Sequence, residues 1–221
     1  MKKLTTKTEF SWEQMGQIRL GYEHGLTEQQ IAVYAKAEFD DDQMVQIRLG
    51  YENGLTDAQV SVYAKVEFEW WQMAEIRLGY EHGLTDEQVA VYAKEGLDWG
   101  QMREIHLGYK NGLSDGQVEK MTEYAKAEFQ WYQMEQIREG FQNGLSDKQV
   151  AKYAKEEFDG YQMREIRLGY ESGLTDEQVS TYAKANISWD KMAKKRKELE
   201  EKECFNHPQK NKTQSKNRIK F

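Results

Sequence analysis

Residues 70–89 read Trp70-Trp71-Gln72-Met73-Ala74-Glu75-Ile76-Arg77-Leu78-Gly79-Tyr80-Glu81-His82-Gly83-Leu84-Thr85-Asp86-Glu87-Gln88-Val89, and the unit closes on Tyr92-Ala93-Lys94. Apolar residues three to four apart, a glycine-leucine break, and a Thr-x-x-Gln restart describe a helix, a tight turn and a second helix. Outward from this stretch the pattern recurs. Met15, Met44, Met73, Met102, Met134, Met163 and Met192 are spaced 29, 29, 29, 32, 29 and 29 residues apart. Self-similarity at such a period marks a repeat architecture.

The first repeat shows how each unit folds. Ser11 and Gln14 form a capping box that opens helix A, whose apolar stripe is Trp12, Met15, Ile18 and Tyr22. Gly25 supplies the left-handed turn that ends it, and Leu26 packs back as the hydrophobe of that turn. Thr27 and Gln30 then cap helix B, with Ile31 and Tyr34 on its buried face. The same device returns at Thr56–Gln59, Thr85–Gln88, Ser114–Gln117, Ser146–Gln149 and Thr175–Gln178. Gly21, Gly50, Gly79, Gly108, Gly140 and Gly169 interrupt helix A, each costing about 1 kcal/mol against Ala. A cost repeated six times implies close approach of a neighbour, for which the small Ala35, Ala64, Ala93, Ala125, Ala154 and Ala183 are the expected partners.

The fold predicted is an all-α solenoid of six helix–turn–helix repeats over residues 10–187. A degenerate seventh copy, residues 188–204, serves as the capping helix, because Lys195 replaces its buried Ile and Glu198 its Gly. Residues 1–9 form an N-terminal arm. Residues 205–221, rich in Lys, Asn and Gln and holding the sole proline, read as a disordered basic tail.

Composition fits small stacked modules better than one large core: 38% of 221 residues are hydrophobic, with a mean hydropathy of −0.93. The net charge of −7 conceals a split. Residues 191–221 carry 11 Lys+Arg against 4 Asp+Glu, a balance of +7, and the remainder, 20 against 34, stands at −14. A single cysteine allows no internal disulfide, and neither a secretory signal nor an 18-residue apolar run occurs, which suggests a soluble, cytoplasmic protein.

The unit Gln43-Met44-Val45-Gln46-Ile47-Arg48-Leu49-Gly50-Tyr51-Glu52-Asn53-Gly54-Leu55, followed by Tyr63-Ala64-Lys65, resembles short helical repeats in uncharacterised phage and mobile-element proteins of gut Firmicutes. The resemblance covers about residues 10–198. It carries no activity and no site; it implies only a setting in which small acidic proteins serve as inhibitors of host defence.

Several residue rows are candidates for function. Arg19, Arg48, Arg77, Arg138 and Arg167 share one helix A position, with His106 in the fourth repeat. They could form a cationic ladder for phosphates. They could equally pair with the acid four residues on and with the Asp opening helix B of a neighbouring repeat. The switch of Arg to His106 together with Glu to Lys110 favours internal pairing. Trp12, Trp70, Trp99, Trp131 and Trp189 share another position and read as half-buried between repeats. The next position varies freely, so Trp71, Tyr132 and Tyr161 are candidate partner anchors, with packing on the adjacent loop as the other reading. Val33, Val62 and Val91 form an apolar strip in the first three repeats, which the later repeats, with Glu123, Lys152 and Thr181 in that row, lack.

The 32-residue spacing places three extra residues, Glu119, Lys120 and Met121, in the fourth helix B. That repeat, with His106 and Lys110, is expected to be a junction between arms 10–117 and 124–204. No HExxH, CxxC, GxSxG or P-loop pattern occurs, and the four histidines are dispersed, so no enzyme, cofactor or metal is expected. The favoured function is a protein-binding module, an inhibitor whose acidic surface meets a basic, nucleic-acid-binding partner. The alternative is a nucleic-acid binder using the arginines, the aromatics and the basic tail.

Overall fold

The computed structural model describes residues 10–94, 96–126 and 129–206. Among these residues lie thirteen helices and no strand, so the fold is all-α. Long and short helices alternate: α1 (Trp12–Glu23), α2 (Glu28–Tyr34), α3 (Asp41–Glu52), α4 (Asp57–Tyr63), α5 (Trp70–Glu81), α6 (Asp86–Tyr92), α7 (Trp99–Lys110), α8 (Asp115–Lys126), α9 (Trp131–Gln142), α10 (Asp147–Tyr153), α11 (Gly160–Glu171) and α12 (Asp176–Ser180). α13 (Trp189–Asn206) follows. The arm 1–9 lies outside the described residues. So does the expected tail beyond Asn206, whereas Phe205 and Asn206 still belong to α13.

The helices begin and end where the repeated caps place them. Ser11, Thr27, Asp40 and Thr56 each accept from the amide three residues on, and the Gln there returns a bond to the cap backbone. The glycine after each of α1, α3, α5, α7, α9 and α11 has φ between 81° and 89°. That left-handed geometry favours a residue without Cβ. At α3 the turn closes when the amide of Leu55 donates to the carbonyl of Gly50 at 2.9 Å. The cap glutamines also have a second task. Nε2 of Gln43 donates to the carbonyl of Phe68 at 2.7 Å, and that of Gln133 to Phe158 at 2.8 Å, pinning the start of each long helix to the segment after its short helix.

Five of the six repeated glycines, Gly108 excepted, face tyrosine rather than the alanines expected. Ala35, Ala64, Ala93 and Ala154 are C-caps of the short helices. At Gly50 a Cβ would overlap the hydroxyl of Tyr63, which reaches through the gap to the carbonyl of Gln46 at 3.4 Å. Tyr34, Tyr92, Tyr153 and Tyr182 do the same at their glycines. Helix propensity is sacrificed so that a fully buried ring can satisfy its polar end.

The chain divides into two compact units, Met1–Lys126 and Ala127–Phe221. In the first, α1, α3, α5 and α7 pack in succession, each against its short helix; in the second, α9, α11 and α13 pack in succession. The core of the second, third, fifth and sixth repeats is a Met-Ile-Val-Tyr set such as Met44, Ile47, Val60 and Tyr63, all fully buried. Burial of each such side chain contributes about 1.5–3 kcal/mol.

The fourth short helix departs from the sequence reading. α8 is twelve residues long where α4, α6 and α10 are seven. Met121 is not surplus: it is fully buried against Gly108, in the slot that tyrosine fills elsewhere. The extra residues therefore follow Met121, and the added turn buries Thr122 and Ala125. Lys120, not Glu123, stands next in the row of Val33, Val62 and Val91. The boundary between the units falls at the end of α8, beyond the 117–124 interval expected for the two arms.

Candidate partner-binding surfaces

The arginine row is an internal device. Nε of Arg48 donates to Oε1 of Gln17 at 3.1 Å, one repeat back, while the same guanidinium pairs with Glu52 four residues on. Arg77 repeats this with Gln46 and Glu81, and Arg167 with Gln136 and Glu171. Arg196 in α13 repeats it with Glu165 and Glu200. Arg48, Arg138 and Arg167 are buried, and Arg138 bonds Gln142 at 2.7 Å. These groups do not line an open groove for phosphates. Arg19 alone of the five is widely exposed.

Burial works against ionisation of Glu52, yet its bonds from Arg48 and His24 hold the carboxyl below the ordinary range. Of the Asp residues expected as partners, Asp57, Asp86 and Asp176 lie instead beside tyrosines of their own repeats. Burial, followed by the neighbouring carboxylates of Asp57, Asp86 and Asp176, raises the pKa of Tyr51, Tyr80 and Tyr170.

In the fourth repeat the pair is replaced by a chain of rings. His106, buried, meets Oε2 of Glu75 through Nδ1 at 3.0 Å and Nδ1 of His82 through Nε2 at 2.9 Å. Nε2 of His82 lies 3.0 Å from Nζ of Lys110, and the two imidazoles stack at 5.1 Å. Burial, then the charges of Lys110 and His106, lower the pKa of His82. The Arg-to-His and Glu-to-Lys changes are thus one coupled substitution. Among the described residues no group of three or more His, Cys, Asp and Glu side chains could hold a metal ion.

Beside this repeat, α6 and α8 enclose a groove of about 610 Å³. Its walls carry Val91, Tyr109, Glu87, Asp115, Glu119 and Glu123, with Lys94 and Lys126. The structure thereby brings Val91 of the apolar strip and Glu119 of the junction to one surface. Val33, Val62 and Val91 are each half-buried.

The aromatics gather most densely in the second unit. Tyr161 is 66% exposed, Tyr132 41% and Trp131 40%. Trp131 and Tyr132 meet edge to face at 5.8 Å, and Tyr161 lies 5.9 Å from Trp189. Gly160, an exception in the tryptophan row, is explained here: a Cβ there would overlap the ring of Tyr132. The first turns of α9, α11 and α13 therefore present a nearly continuous aromatic row. Trp71, the third expected anchor, is half-buried and sits in the other unit. Trp189 was read from sequence only as a packing residue.

No helix among the described residues is long and apolar enough to cross a membrane. Comparison with protein-family models, with curated proteins and with solved structures finds no match.

Proposed function

We propose that this chain is a non-enzymatic protein-binding module of the α-solenoid type, six repeats closed by α13, whose acidic surface engages a basic, nucleic-acid-binding protein. The observation that carries this reading is the aromatic row of the second unit. Trp131, Tyr132, Tyr161 and Trp189 are large rings left in solvent at one edge of successive helices, and aromatic side chains dominate interface energetics. Their neighbours Asp159 and Asp190, with the −14 balance of residues 1–190, supply charge that attracts a cationic partner and speeds its encounter. The burial of Arg48, Arg138 and Arg167 removes support from direct phosphate binding. An inhibitory role against host defence follows from the resemblance of the repeats alone.

The test is affinity capture from a gut Firmicute extract with the parent chain and with a Tyr132→Ala/Tyr161→Ala variant of unchanged circular dichroism. A basic protein retained by the parent and lost from the variant supports the reading. Equal retention by both, or saturable binding of an oligonucleotide with a steep salt dependence, overturns it.

A further inference from the structure

α1 carries the same apolar residues as α3 and α5 but leaves them in solvent. Met15 is 49% exposed where Met44 and Met73 are fully buried, and Tyr22 is exposed where Tyr51 and Tyr80 are buried. The sequences of the three helices match at these positions; among the described residues a long helix packs in front of α3 and of α5, and none in front of α1. Among the described residues the face is a stacking surface with no helix on it.

The interior layers show what such a face accepts. At five layers the helix in front offers Gln or Glu to the Arg or His behind it: Gln17 to Arg48, Gln46 to Arg77, Glu75 to His106, Gln136 to Arg167 and Glu165 to Arg196. Seven residues later it offers an imidazole or amide to the residue after the next turn. Nδ1 of His24 meets Glu52 at 2.7 Å, Nδ2 of Asn53 donates to Glu81 at 2.8 Å, and Nδ2 of Asn143 donates to Glu171 at 2.9 Å. On α1 both reading groups are present: Arg19, its side chain 74% exposed, contacts Glu23 at 3.4 Å, the same pair that Arg48 and Glu52 form inside the stack.

A second copy does not fit this face. The positions on α13 that correspond to Gln17 and His24 are Lys194 and Glu201. Stacking α13 of one chain on α1 of another would set Lys194 against Arg19 and Glu201 against Glu23. Like charges at both contacts oppose head-to-tail assembly and thus the open filament that a heterologous interface invites.

We propose that the open face of α1 docks an amphipathic helix of a partner protein, one bearing Gln or Glu and, seven residues on, Asn or His. The partner helix continues the internal stack, with its acceptor on Arg19, its donor on Glu23, and its apolar side over Trp12, Met15 and Tyr22. This rests on the reading of the chain as a protein-binding module and adds the class of element recognised and a second surface.

The probe is a fluorescein-labelled, hydrocarbon-stapled peptide of residues 41–53, stapled on the side away from Gln46 and Asn53. Anisotropy with the full chain is expected to show saturable binding. Gln46→Lys in the peptide, or Arg19→Glu in the chain, should each weaken it about tenfold or more, as loss of a charge-assisted contact does. Combining the two should recover most of the loss. Absence of saturable binding, indifference to Arg19→Glu, or failure of the charge swap to recover binding overturns the proposal. Circular dichroism of the Arg19→Glu chain verifies its fold. If the peptide fails while capture that depends on Tyr132 and Tyr161 persists, the α1 proposal falls and the broader reading stands. The reverse pattern removes the aromatic row and leaves α1.

Discussion

The hydroxyl of Tyr63 donates to the main-chain carbonyl of Gln46, 3.4 Å away, through the space that Gly50 leaves by having no side chain. The contact joins the short helix of a repeat to the interior of its long helix. It turns a residue that weakens a helix into one that the packing requires.

Gly50→Ala should accordingly destabilise the protein although alanine is the better helix former. Overpacking costs about 1–3 kcal/mol and outweighs the gain of about 1 kcal/mol in propensity. Urea unfolding of Gly50→Ala, and of the same change with Tyr63→Phe, checks this. The double variant should recover part of the loss, because the overlapping hydroxyl is gone. Gly108→Ala, which meets the flexible Met121, should cost less.

Arg48 and Arg19 occupy one repeat position but should behave in opposite ways. Arg48→Ala strands the buried side of Glu52 and the amide of Gln17, and should cost about 3 kcal/mol. Arg19→Ala removes an exposed pair and should change stability by under about 0.5 kcal/mol. Parallel denaturation curves decide it, and equal effects would contradict the internal role assigned to the row.

His82 predicts a pH dependence. Its pKa lies below the ordinary 6.5 in the folded chain, chiefly through burial, with Lys110 and His106 adding to it. The unfolded chain therefore binds this proton more readily. The stabilisation is complete above about pH 6.5 and is lost progressively as pH falls from there toward the depressed folded value. The Tm should fall between about pH 7.5 and about pH 5.5, and His82→Asn should flatten part of that slope. Asparagine is the residue at positions 53, 111 and 143. An unaltered slope in the variant would contradict the assignment.

Much of the fold was legible because each helix end is written in local chemistry. Ser11 with Gln14, Gly25 before Leu26, and Thr27 with Gln30 fix termini through neighbours in sequence, and the helices form there. What crossed between helices was harder to read. Alanine seemed the natural partner for Gly50 on grounds of size, yet the space admits a hydroxyl seeking a carbonyl. Tyr124 matched Tyr63 by identity, so Met121 looked inserted, whereas depth of burial gives Met121 the slot. The pairing of Arg48 with Glu52 was visible as a four-residue spacing. Its bond to Gln17 joins residues 31 apart, which helical periodicity within one repeat does not reveal. Tyr132 and Tyr161 were identified by their variability. Their association with Trp131 and Trp189 required the stacking of α9, α11 and α13.

The added turn of α8 offers a separate check. Deleting Glu119, Lys120 and Met121 should bring Tyr124 into the slot against Gly108 and restore the common period. Stability should be retained or raised, since a tyrosine hydroxyl can then reach the carbonyl of Glu104 as it does in the other repeats. Partner capture should weaken, because the groove bearing Val91 and Glu119 is lost. Capture equal to that of the parent would show the extra turn to be neutral for binding.

The central claim is that the rings at the edge of the second unit are there for a partner. The most direct measurement is partner capture by Tyr132→Ala/Tyr161→Ala against the parent, at matched circular dichroism and Tm. The account predicts an unchanged fold and a loss of affinity of about 2 kcal/mol or more, roughly thirtyfold. Unfolding of the variant, or capture indistinguishable from the parent, would contradict it and return both tyrosines to packing.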